Sequence, residues 1–280
     1  MRLSVITDEI SLDLAHALDV MREYGVDGAE LRGLWDKNIA DLSWDQAKEA
    51  RSLIDARGFV VSAIASPFFK CPLTEDEAGE TGQTHLAETR SLKDQHDLLE
   101  RCFELARLFD TRLIRVFAFW KRGPLTEEIE GRIVEAFRGP AKMAEEQGMT
   151  LVLENEHACY IGTGAEAARV IEKVDSPNLK AVWDPGNAYF VGENPYPDGY
   201  NAIRKHVVHV HVKDAVTLPS GEMQFTVVGE GVIKYADQFA SLKADGYHGF
   251  ISLETHCKPG EESSRKSLVA LRKLLADVEG

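Results

Sequence analysis

Residues 207–214 read VVHVHVKD, a short apolar, β-branched run in which His209 and His211 fall on one side of an extended strand. The charged pair Lys213-Asp214 ends it, as expected where a strand leaves a sheet core for the rim. Three other runs end the same way: LVLENEH (151–157) arrives at Glu154, AVWDPGN (181–187) at Asp184, and ISLETH (251–256) at Glu254. The gaps from Glu154 to Asp184, Asp184 to His211 and His211 to Glu254 are 30, 27 and 43 residues. Each of the first two fits one strand and one helix, and the third a somewhat enlarged unit. A closed parallel barrel gathers the ends of its strands on one face, so it would bring all four residues together.

The rest of the chain repeats the alternation. Strand-length apolar runs lie near 2–6, 28–31, 59–64, 113–117, 150–153, 179–183, 207–212 and 249–253. Segments of helical periodicity lie near 11–24, 44–57, 92–109, 126–147, 164–173, 199–205, 235–244 and 262–277. Gly25, Gly58, Gly148 and Gly246 each follow a helical segment, where a left-handed cap is needed, and Ser43 and Thr126 stand where a side-chain oxygen can cap the next helix. The expected fold is α/β, a single (β/α)8 TIM barrel forming one domain over residues 1–280. Two connections, 65–91 and 213–234, are long and follow strands, so both are expected on the catalytic face, able to close over a substrate.

Composition narrows the function. With 32 basic and 46 acidic residues the formal charge is -14, which disfavours polyphosphate backbones and hence nucleic acid. No apolar run approaches membrane-spanning length, and MRLSVITDEI lacks the pattern of a secretory signal. The four cysteines, Cys71, Cys102, Cys159 and Cys257, form no Cys-x-x-Cys pair, and a cytoplasmic location with reduced thiols is expected.

Glu154, Asp184, His211 and Glu254 at the ends of four successive strands are the expected ligands of one divalent cation. Three oxygen donors lean toward Mn²⁺, while Mg²⁺, Co²⁺ and Zn²⁺ also accept carboxylate and imidazole. A cation on the carbonyl and neighbouring hydroxyl of a keto sugar would stabilise an enediolate, with Glu154 and Glu254 as the expected acid/base pair. Further substrate-binding candidates are His157, Asn187, His209, Lys213, Arg115 and Trp120. Glu30 and Arg32 end the second strand, and Trp35, Phe68 and Trp183 offer ring faces, although core packing competes for the aromatics.

LVLENEH, VWDPGN, HVHVKDA and ISLETH together resemble the sugar phosphate isomerase/epimerase superfamily with its xylose isomerase-like barrel. The resemblance covers essentially the whole chain. It implies one divalent cation on Glu154, Asp184, His211 and Glu254, and a small sugar, keto sugar or cyclitol as substrate. The implied activity is isomerisation or epimerisation by proton transfer beside a carbonyl. The alternative is a lyase or dehydratase, including cleavage of 3-keto glycosides, that starts with the same proton abstraction. A homo-oligomer would fit such barrels, and a non-catalytic sugar- or metal-binding barrel is the reading from another class.

The match has gaps. Where ketose 3-epimerases carry a second Glu, an Arg and a His near the sugar, this chain has Tyr160, Thr217 and Asn187. VGEGVI (228–233) resembles the glycine-rich segment of abasic-site endonucleases, but Met223 and Phe225 stand where those enzymes have metal ligands. An endonuclease is therefore the weakest of the readings.

Overall fold

Each of the eight apolar runs forms a barrel strand: β1 (Arg2–Ile6), β2 (Gly28–Leu31), β3 (Val60–Ile64), β4 (Leu113–Val116), β5 (Thr150–Glu154), β6 (Leu179–Trp183), β7 (Val207–Val212) and β8 (Phe250–Leu253). All are parallel, each pairs with the next, and β1 closes on β8 through Arg2↔Phe250 to Val5↔Leu253. The expected single (β/α)8 barrel is therefore the fold. The structure is a computed structural model that describes residues 1–75 and 84–280.

Around the strands lie α1 (Leu14–Glu23), α2 (Trp44–Ala56), α3 (Gln95–Leu108), α4 (Glu127–Gln147), α5 (Gly164–Val174), α6 (Pro185–Phe190), α7 (Tyr200–Ile203), α8 (Tyr235–Ala244) and α9 (Gly260–Glu279). Ser43 caps α2 in a reciprocal box with Gln46, and the Thr126 side chain accepts from Ile129 N at the start of α4. Gly148 ends α4 with φ 66°, in the left-handed region where a Cβ would be strained. The principal departure lies between β6 and β7. One helix over 199–205 was the expectation, but α6, an irregular turn at Pro195–Gly199 and the four-residue α7 occupy the segment. Asp184 and Pro185 explain the extra helix: the carboxylate accepts from Asn187 N, and proline at the first helical position has a preset φ and no N–H to satisfy. Pro195 and Pro197 then deny the next turn two backbone donors.

Small polar groups fill the lower barrel. Ser4 Oγ and Ser62 Oγ meet at 2.7 Å, and with buried Ser252 they leave volume for longer side chains above. Apolar residues pack instead between strands and helices, where Trp183 is fully buried and donates its indole N–H to Gln238 at 2.9 Å. Trp183 and the equally enclosed Phe68 are thus core residues. Among the described residues no helix is long and apolar enough to cross a membrane.

The connection after β7 folds into a hairpin, Asp214–Thr217 antiparallel to Met223–Thr226. Its base is organised by Asp214, whose carboxylate accepts from the backbone N–H groups of Ala215, Gly229, Gly231 and Ile233 at 2.9, 2.9, 3.1 and 3.2 Å. This lock explains VGEGVI, because a Cβ at Gly231 would stand 2.0 Å from Asp214 Oδ1. The expectation that 65–91 covers the same face extends over residues 76–83, which lie outside the described residues; the flanks on either side do reach that face. Replacing Asp214 by Ala leaves four backbone donors without their acceptor, those of Ala215 and Ile233 buried, and should cost about 2 kcal/mol or more in denaturant unfolding. Retention of wild-type stability would show that the loop does not depend on this carboxylate.

Candidate metal and active site

Glu154 closes β5, Asp184 follows β6 and caps α6, His211 lies within β7, and Glu254 follows β8. All four are buried, and one donor atom from each lies within 4.8 Å of the others. His211 Nδ1 faces Glu154 Oε1 at 3.2 Å and Glu254 Oε2 at 3.4 Å. Two oxygens in this group, Glu154 Oε2 and Asp184 Oδ2, are buried without a hydrogen-bond partner. Asp184 Oδ2 stands 3.0 Å from Lys213 Nζ and Glu154 Oε2 3.3 Å from Arg115 Nη1, neither aligned for a hydrogen bond. Orphaned carboxylate oxygens converging with an imidazole nitrogen form a donor set that a divalent cation would satisfy, and three oxygens with one nitrogen suit Mn²⁺, Mg²⁺, Co²⁺ or Zn²⁺.

The imidazole is aimed from across the barrel. Glu30, at the end of β2, meets His211 Nε2 at 2.9 Å with one oxygen and His209 Nε2 at 2.8 Å with the other. Glu30 thereby fixes which ring nitrogen of His211 looks toward the other three donors. Burial pushes Glu30 upward, but His211 and His209 hold it well below the usual carboxylate range. Burial also opposes charge on His211, yet Glu30 and Glu154 raise its pKa well above the ordinary imidazole value. His209, grouped in the sequence with substrate-binding residues, is sealed one layer below the donor set with Glu30 as its partner.

Four buried cations surround the donors. Lys213 Nζ lies 2.6 Å from Glu254 Oε2 as well as beside Asp184, and Gly186 makes this possible, since a Cβ there would meet Lys213 Cγ at 2.5 Å. Burial lifts Asp184 to about 7 even with Lys213 pulling it down. Arg32 reaches Asp8 at 2.9 Å, Glu9 at 2.5 Å and Glu254 Oε1 at 2.6 Å. That same Glu254 oxygen meets His256 Nε2 at 3.0 Å. Burial acts against ionisation of Glu254, but Lys213 and His256 hold it well below the usual range. Arg115 donates to the Ala65 and Ser66 carbonyls as it approaches Glu154, and Lys70 pairs with Glu156 at 3.7 Å.

The remaining candidates sit on the wall and roof. His157 Nδ1 is 2.9 Å from Asn187 Oδ1, and the Asn187 amide donates to Glu154 Oε1 at 3.2 Å. Trp120 is buried with Phe117 and Cys159, its ring 5.5 Å from Lys70 Nζ. Above them the hairpin lays Phe225 against Phe190 at 4.3 Å between centroids, with Phe225 also 5.1 Å from the His256 ring and 5.6 Å from Lys213 Nζ. The connection after β7 thus roofs the donor set. Of the positions where the chain departs from ketose 3-epimerases, Tyr160 is buried, Thr217 Oγ1 bonds Tyr189 Oη at 2.5 Å, and Asn187 lies beside Glu154.

Sequence reading missed Asp8, Glu9, Lys70, Glu156 and His85. Glu156 stands two residues beyond Glu154 and was visible in LVLENEH. His85 joins Glu254 and His256 in a second group of converging donors, and burial together with Arg32 and Lys70 pushes its pKa well down. No local pattern marks Lys70 or His85, because both come from the long connection after β3.

With barrel and site in place, the chain is assigned by comparison as well as by geometry. It belongs to the xylose isomerase-like TIM barrel family, whose profile matches residues 18–274. An inosose dehydratase of Geobacillus thermodenitrificans is 26% identical over 214 residues, 70% of each chain. A solved probable 3-DHS dehydratase from Bacillus anthracis superposes with a TM-score of 0.77 at 18% identity, covering 97% of this chain and 99% of that one. An L-ribulose 3-epimerase gives 0.73 at 17% identity, covering 99% and 95%.

His211 and Asp184 both tend to hold protons when no cation competes, and a ligand must lose its proton to bind. Metal uptake should therefore release protons, with affinity rising as pH climbs through about 7. Calorimetry in buffers of different ionisation heat measures this release; heats independent of buffer would refute it. Glu30→Gln, which loosens the ring from behind, should weaken metal binding by about 10–100-fold.

Proposed function

We propose that the protein is a divalent-metal-dependent dehydratase that removes a proton beside the carbonyl of a keto sugar or keto cyclitol and then expels a β-hydroxyl as water. The observation that carries the reading is the unequal anchoring of the two glutamates flanking His211 Nδ1. Glu254 has one oxygen clamped by Arg32 and His256 and the other beside Lys213. Glu154 keeps Oε2 without a hydrogen bond. Of the two carboxylates, the one held by fewer partners is the freer to take a proton from carbon.

When bound by Glu154, Asp184, His211 and Glu254, a divalent cation supplies positive charge for the oxyanion that develops on the substrate. The chain's own groups supply the rest. Glu154 accepts the proton from carbon. Lys213 and His256, on either oxygen of Glu254, are the donors positioned to protonate a departing hydroxyl. Phe225 and Phe190 cover the chamber and limit the access of bulk water. The inosose dehydratase similarity supports elimination over simple isomerisation.

Epimerisation or isomerisation is the second reading. It is favoured by the position of Glu254, a second carboxylate able to return a proton from its own side, and by the shared fold of the ribulose epimerase.

Incubating metal-loaded protein with an inosose and following products by mass spectrometry separates the two: elimination lowers the mass by one water, and epimerisation leaves it unchanged. Glu154→Gln and Glu254→Gln should each reduce turnover by about a hundredfold or more while the fold is retained. Full turnover in Glu154→Gln would remove it as the base.

A further inference from the structure

Among the described residues, every buried lysine and arginine at the barrel mouth already faces a carboxylate. Arg32 is shared by Asp8, Glu9 and Glu254, Lys213 by Asp184 and Glu254, while Arg115 faces Glu154 and Lys70 faces Glu156. Glu30, between its two histidines, is the seventh carboxylate of the group. Seven carboxylates against four permanent cations leave three negative charges, and a divalent ion removes two. Among the described residues no buried lysine or arginine is left without an acidic partner to meet a ligand anion, and placing a phosphate or carboxylate beside residual negative charge in a shielded site is costly.

One pair decides this balance on the side where a ligand would lie. Besides Glu156, Lys70 Nζ lies over the faces of Phe117 and Trp120, at 4.2 and 5.5 Å, which stabilise a cation without neutralising it. At 3.7 Å, Glu156 cancels the charge but leaves the ammonium without a short hydrogen bond to it. Glu156 belongs to the chamber itself: its Oε1 is 3.0 Å from His157 Nδ1, and His157 leads through Asn187 to Glu154. We propose that the Lys70–Glu156 pair is a specificity element that excludes phosphorylated and carboxylated molecules and reserves the chamber for an uncharged polyol ketone. The inference rests on the polyol reading given above and narrows its substrate class.

The test uses full-length, metal-loaded protein and three probes: an inosose, which is an uncharged ring ketone; quinate, a ring polyol of similar size bearing a carboxylate; and inorganic phosphate. Calorimetric titration should show the wild type binding the inosose at least about tenfold more tightly than quinate, and phosphate should leave its melting temperature unchanged. Glu156→Gln, with Glu156→Ala as the alternative should the amide fail to fold, frees the Lys70 ammonium. Either variant should shift the quinate-to-inosose affinity ratio by about tenfold or more toward quinate and make melting rise with phosphate. Adding Lys70→Met should abolish both gains. Equal binding of quinate and inosose by the wild type overturns the proposal, as does an unchanged ratio and phosphate response in the Glu156 variants. A wild type that binds neither ring, with a Glu156 variant that gains the phosphate response, retires the polyol reading and leaves the electrostatic role of the pair standing.

Discussion

One carboxylate inside the barrel sets the geometry of everything above it. Glu30 spans from β2 to β7 and holds His209 and His211 with its two oxygens, turning a pair of rings on one strand into a rigid unit. The serines beneath provide the space, since larger residues at positions 4, 62 and 252 would crowd the same layer. A buried carboxylate is costly in isolation, and here it is matched by hydrogen bonds on both oxygens. The direction of His211 Nδ1, toward the point where the strand ends bring Glu154, Asp184 and Glu254 together, follows from that contact.

The two glutamates show how identical side chains acquire different chemistry from their surroundings. Arg32 is itself fastened by Asp8 and Glu9, so the clamp on Glu254 is part of a network rather than a single ion pair. Such a network resists protonation and movement of the carboxylate it holds. Among the described residues Glu154 meets Asn187 and His211 with its bonded oxygen, and the adjacent Arg115 spends hydrogen bonds on the Ala65 and Ser66 carbonyls. The asymmetry arises in loops and strand ends, on a scaffold whose barrel is nearly regular.

How much of this was legible follows from the range of each signal. Strands β1, β6 and β7 lie where their β-branched runs begin and end, and Gly148 stops α4, because those features depend on neighbouring residues. The four convergent donors could be read too, since strand ends share a face in any such barrel. The helix at Pro185–Phe190 was hidden because Asp-Pro-Gly reads equally as a turn, and only the packing of Lys213 over Gly186 reveals why the glycine is there. Arg32 and Glu254 are 222 residues apart, and Glu30 and His209 are 179 apart. Ion pairs across such distances leave no periodic trace in a single sequence, so Glu30 and Arg32 could be named as strand-end residues but not given partners. Glu156 stood in plain view in LVLENEH, but its pairing with Lys70 was hidden for the same reason.

The roof has a further consequence through its attachment. Thr217 on the hairpin bonds Tyr189 on α6, Phe225 rests on Phe190 of that short helix, and the helix begins at Asp184. Lifting the hairpin to admit or discharge a molecule therefore strains the segment that carries one of the four converging donors. Ligand traffic and retention of an ion would draw on the same few contacts, so a fast gate and a tightly kept ion are opposing demands on six residues of helix.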